Sequence, residues 1–183
     1  LRTEHDDEII SKWINGETGF PFLDACMKYL NQYGWINFRM RAMIMSFASY
    51  NLWQPWQKTS PLLAQLFTDY EPGIHISQVQ MQSGVTGINL PRIYSVPKQS
   101  MDQDPDSSWT KSMLPQLDNI DPKLIHNAEL NDSYIDKIVD IKTSAKYARE
   151  NIWGIRKSNE FKNEARQVYL KHGSRRKRKI KSN

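Results

Sequence analysis

Apolar residues recur at helical spacing along most of the chain, and Gly and Pro punctuate them. Ile9, Ile10 and Trp13 share a stripe within residues 6–15, and Asn15-Gly16 closes that segment as a helix C-terminus does. After the turn Gly16-Glu17-Thr18-Gly19, Pro21 suits the first turn of a second helix. Phe22, Ala25, Cys26, Tyr29 and Leu30 form its inner face and Gly34 ends it. A third, buried helix is predicted from about Ile36, with Met40, Met43, Ile44 and Phe47 on one stripe and Pro55 ending or kinking the segment.

Ser60-Pro61 reads as an N-cap and first-turn proline for a helix through Leu62, Leu63, Leu66 and Phe67, which delivers Asp69, Tyr70 and Glu71 to its C-terminal end. Residues 74–83 allow another helix; the alternation of Gln78, Gln80 and Gln82 with Val79 and Met81 also permits a strand, which would have nothing to pair with. Residues 84–105 read as a long irregular loop in which Arg92, Tyr94 and Lys98 offer charge and an aromatic ring, the combination used against nucleic acid. Short helices are expected over residues 109–117 and 124–127, and a weak helix or loop over 131–140. Residues 142–171 read as one long helix with a possible bend at Gly154. No domain-scale repeat and no strand pair is visible, so the expected fold is all α, as one domain over residues 1–174 followed by a basic, disordered tail over 175–183.

Composition changes this picture in one respect. The six basic residues between Arg175 and Lys181 account for more than the whole net charge of +5, leaving residues 1–174 at −1. A nucleic-acid surface on the body must therefore be a local patch. Cys26 is the only cysteine, which excludes an internal disulfide and points to a reducing, cytoplasmic setting. No apolar run is long enough to span a bilayer, the first residues, LRTEHDDEII, lack the basic and apolar regions expected of a signal peptide, and no metal-ligand spacing is seen among His5, His75, His126, His172 and Cys26. Glycine-rich phosphate loops are also absent.

The chemistry concentrates between Gly34 and Gly84. Arg39 and Arg41 lie two apart on the third helix, so their side chains point to opposite sides and only one can face inward, where a guanidinium needs a carboxylate or a ligand. Asp69 or Glu71 is a natural partner, since carboxylates at a helix C-terminus oppose the dipole and need a cation; a solvated acidic turn is the alternative.

Several stretches together carry a family resemblance: WINGETGFPFLDACMKYLNQYGWINFRMRAMIMSF, LFTDYEPGIHISQVQMQSG, RIYSVPKQSMDQDPD and WGIRKS. In register from about Trp13 to Leu117, they resemble the C-terminal, FAD-binding helical region of the photolyase and cryptochrome family. The resemblance implies FAD as cofactor, with Phe38, Arg41, Asp69, Glu71 and His75 around the ring; Arg41 and Asp69 form a buried ion pair and His75 faces flavin N5. It implies that Arg39, Met81 and Arg92 meet damaged DNA, and that Trp56 is the middle member of an electron-transfer tryptophan chain. The implied reaction is light-driven splitting of pyrimidine dimers flipped into the pocket.

There are departures. Val79 stands where a tryptophan nearest the flavin is usual, Thr3 where the outermost one is, and Met81 where an aromatic packs on the lesion; Trp53 or Tyr50 offers a detour. Phe38 replaces a common Asn, Ser95-Val96 a common Asn-Pro, and His75 puts an ionisable group where a neutral Asn is familiar. The family's antenna domain and its loop for the FAD phosphates are not found, which suggests either a C-terminal half or fragment completed by a separate chain, or a reduced protein. Three functions remain open: a repair lyase, a cryptochrome-like photoreceptor, and a degenerate fragment that binds nucleic acid or a partner without flavin.

Overall fold

A computed structural model describes residues 2–86 and 90–172. The tail over 175–183 lies outside the described residues. The first three helices follow the hydrophobic pattern. α1 (Asp7–Asn15) is N-capped by Asp6, whose side chain accepts from the Glu8 and Ile9 amides, and ends at Gly16 in the left-handed region with φ 68°. α2 (Pro21–Tyr33) is the central element, and Phe22, Leu23, Ala25, Cys26, Met27 and Leu30 on it are buried. α3 (Phe38–Ser46) is N-capped by Asn37 and runs into a π-helical turn, Phe47–Asn51, whose five residues are all buried. The core forms where these elements meet. Phe20 and Phe47 pack edge to face at 5.3 Å, and the Trp13 indole N–H donates to the Ile44 carbonyl at 3.2 Å.

The next segment departs from expectation. α4 spans Trp56–Leu66, so its start is set by Pro55 and not by Ser60-Pro61, and Pro61 sits inside the helix. Ser60 is thereby released from capping and faces another helix. α5 (Pro72–Gln82) is helical throughout, which settles the ambiguity of its glutamine run. Asp69 and Glu71 also have a different setting from the one expected. Helix α4 ends before them, and Glu71 is the N-cap of α5, accepting from the Ile74 amide at 2.7 Å. Its carboxylate therefore complements a helix dipole where the sequence pattern suggested opposition.

The expected long loop is shorter than residues 84–105, because α6 (Val96–Gln103) forms within it behind Ser95, whose hydroxyl accepts from the Lys98 amide. α7 (Ser108–Met113) and α8 (Pro122–Asn127) follow, the latter N-capped by Asp121. They cover α2 through a second apolar cluster of Ala25, Leu114, Leu117, Ile125 and Leu130. The last long helix is in fact two: α9 (Ile141–Lys157) and α10 (Asn159–His172). The break falls at Ser158, with extended backbone at ψ 151°, and not at Gly154. Ala148 and Ile152 of α9 bury against Tyr50 of the π-helical turn. Among the described residues there is no strand, and no helix is long and apolar enough to cross a membrane.

Candidate cofactor-binding site

α3, the end of α4, the turn after it and α5 enclose an open cleft of about 330 Å³. Its floor is apolar, with Ala42, Met45, Leu63 and Val79; Trp35, Phe38 and Ile74 stand at its exposed edge. α5 supplies one wall through Ile74, His75, Gln78, Val79 and Gln82, the residues that fall on one side of a helix of 3.6 residues per turn.

Arg41 organises the polar edge. Its Nε donates to the Ile36 carbonyl at 2.7 Å and its Nη2 to Asp69 Oδ2 at 2.9 Å, while the guanidinium lies 4.2 Å from the Phe67 ring centre. Three fixed contacts leave the planar group one orientation. Hydrogen bonding to Arg41 holds the Asp69 carboxyl below the usual carboxylate range. The pair is half-exposed, with 26% of the Arg41 side chain and 47% of the Asp69 side chain accessible, so it is not the buried pair that the resemblance implied. The open side of the cleft leaves that edge in contact with solvent. Asp69 is placed by its turn, where the Thr68 amide donates to the Gly34 carbonyl at 2.9 Å and ties the end of α4 to the end of α2.

His75 crosses from α5 to α4. Its Nε2 lies 3.0 Å from Ser60 Oγ and 3.1 Å from the Ser60 carbonyl oxygen. A carbonyl only accepts, so that contact assigns the proton to Nε2 and leaves Nδ1 with a lone pair. Burial holds the imidazole below the usual histidine range, opposed by the Ser60 carbonyl and assisted by the positive charge of Arg41. Phe67 and Tyr70 approach the ring edge to face, at 6.0 and 5.3 Å.

The cleft thus collects Phe38, Arg41, Asp69, Glu71 and His75 from positions up to 37 apart in the sequence. Trp56, Arg39, Met81 and Arg92 do not line it. Trp56 is the first residue of α4 and packs half-buried against the main core. Arg39 is exposed while Arg41 turns inward, as their spacing required. Met81 is half-buried on α5 outside the cleft wall, and Arg92 is exposed with its carbonyl accepting from Ser46 Oγ. Sequence reasoning missed Ser60, Gln78 and Gln82. Gln78 was findable, one turn on from His75; Ser60 was hidden by its resemblance to a helix cap.

A planar, largely apolar ring with polar edges suits this cleft. Gln78 on the α5 wall keeps its Oε1 buried and without a hydrogen-bond partner among the described residues. These features describe an all-helical, largely apolar cleft with an ion pair at one edge. Residues 1–154 match the family model for the FAD binding domain of DNA photolyase, and the chain belongs to that family, whose cofactor is FAD. It is 30% identical to a deoxyribodipyrimidine photo-lyase of Alkalihalophilus pseudofirmus over 128 residues, covering 69% of this chain and 27% of that protein. It is also 30% identical to a cryptochrome DASH of Gloeobacter violaceus over 124 residues, covering 67% of this chain and 25% of that protein.

Among solved structures, the fold is similar to a class III photolyase from Agrobacterium tumefaciens, with TM-score 0.76 and 25% identity over 86% of this chain and 36% of that one. An archaeal photolyase from Sulfolobus tokodaii, solved with two FAD molecules, also gives TM-score 0.76 at 25% identity, over 83% of this chain and 36% of that one. The chain therefore spans between 25% and 36% of the length of these proteins.

Proposed function

We propose that the cleft holds the ring system of FAD and that the protein serves light-driven repair of pyrimidine dimers in damaged DNA. The Arg41–Asp69 pair carries this reading, because it fixes a cation at one edge of a flat apolar cleft, where it would favour negative charge on a bound ring. FAD, when bound, supplies the light-absorbing electron donor. Arg41 and Asp69 orient the ring, and the apolar floor excludes water. His75 holds a proton on Nε2, leaving Nδ1 as an acceptor. Trp56 is proposed to relay electrons, and Arg39, Met81 and Arg92 to contact DNA. A separate chain that carries a phosphate-binding half is the proposed covering for the open side.

A cryptochrome-like photoreceptor is the second reading, favoured by the equal identity to a cryptochrome DASH and a photolyase. Two measurements separate the possibilities. Protein purified in the dark, alone and with a candidate phosphate-binding partner chain, should take up added FAD; colourless protein in both cases removes the flavin readings. The reduced holoprotein is then illuminated with dimer-containing DNA. Loss of dimers supports repair, and unchanged dimers sink it in favour of the photoreceptor.

A further inference from the structure

Charge is divided sharply along this chain. Residues 1–140 carry eleven Lys and Arg against seventeen Asp and Glu, whereas residues 141–172 carry eight against three. Much of that excess lies on one side of α9. With about 100° per residue, Lys142, Lys146, Arg149, Trp153, Arg156 and Lys157 fall within an arc of roughly 100°, a stripe some 22 Å long. The opposite side is the one buried: Ala148 and Ile152 pack on Tyr50. Lys142, Lys146, Arg149 and Lys157 are exposed.

A charged helix face is often only solvated, but two features set this one apart. Trp153 stands in the middle of the stripe with 40% of its surface exposed, and the Arg156 guanidinium lies 5.7 Å from its ring centre. The indole gives the cationic stripe an apolar platform that charge alone would not supply. Moreover, Arg149 and Trp153 share a small hollow of about 140 Å³ with Pro91 and Ile93, the neighbours in sequence of exposed Arg92. On α9, Glu150 lies beside the stripe and reaches Lys146 at 3.9 Å.

We infer that this face of α9 binds a single nucleic-acid strand, with phosphates along the cationic stripe and one unstacked base on Trp153. The surface is separate from the cleft and does not require flavin. The indole supplies a sequence-tolerant platform.

The test is fluorescence anisotropy of a fluorescein-labelled, undamaged dT 12-mer with the full chain over a series of salt concentrations. K146Q/R149Q/K157Q should weaken binding about tenfold or more and make the salt slope shallower by about 2, near 0.7 per lost contact. W153A should weaken binding about fivefold or more with the slope unchanged. All four positions are exposed, so melting temperatures should match the parent. A duplex of the same length should bind more weakly, and FAD uptake should be unaffected in both variants. Unchanged affinity and slope in the triple variant would overturn the inference. So would a duplex binding at least as tightly, or binding to anionic vesicles without binding to dT. Loss of FAD uptake in the triple variant would assign the face to the flavin site and overturn it as well.

Discussion

Arg41 and Asp69, 28 residues apart, meet at 2.9 Å across the mouth of a cleft formed by α3 and α5. Because Arg41 is also held by the Ile36 carbonyl and the Phe67 ring, the ion pair fixes the position of Asp69 more than the reverse. Asp69→Asn should therefore leave Arg41 in place and weaken FAD retention by roughly 1.5- to 5-fold, the range of a half-exposed ion pair. Fluorescence titration of FAD against both proteins checks this, and retention equal to the parent would separate the pair from cofactor binding.

Protonation of His75 should cost stability. Burial lowers its pKa in the folded state, so the unfolded chain binds the proton more readily. The contribution of neutral His75 is fully present above the unfolded value of about 6.5 and is lost as pH falls through and below it. The melting temperature of the parent should drop more between pH 7 and pH 5 than that of His75→Gln, and an NMR titration should place the His75 midpoint below that of a free histidine.

Asp24 should act with the opposite sign. Its carboxylate accepts from the Thr18 amide and hydroxyl, the Gly19 amide and the Tyr134 hydroxyl, yet burial outweighs these donors and pushes its pKa up to about 6. The folded state then holds the proton more tightly than the unfolded chain, so this group's contribution is fully present below about pH 4 and is lost as pH rises toward 6. Tyr134→Phe removes one donor, should cost about 1 kcal/mol in urea unfolding at pH 7, and should raise the Asp24 pKa further.

Gly34 ends α2 with φ 72°, and a Cβ there would collide with Cγ2 of Thr68. Gly34→Ala should cost about 1–3 kcal/mol in denaturant unfolding. Since Thr68 precedes Asp69, FAD affinity should fall with it; a variant as stable as the parent would show that the turn can shift freely.

Local patterns were sufficient for much of this protein. Apolar periodicity with Gly and Pro at the ends gave α1, α2 and most of α3, because burial of one stripe and termination at left-handed glycines are both local requirements. The spacing of Arg39 and Arg41 likewise required one to face out and one in. What the sequence could not decide were alternatives of similar local cost. Ser60-Pro61 is a good helix start, yet Pro55 offers another five residues earlier, and packing of α4 on its neighbours selected that one. Ser95 caps a helix inside what reads as loop, and Ser158 breaks a pattern that runs on smoothly in sequence.

By itself, then, the sequence determined an all-helical fold, the opposed arginines and the family resemblance, because these rest on short-range sterics and on residues read one by one. Tertiary structure alone decided that His75 meets Ser60 and that the ion pair is half-exposed. Each of these depends on how far apart two helices lie, a distance set by the side chains packed between them and not by any one segment of chain.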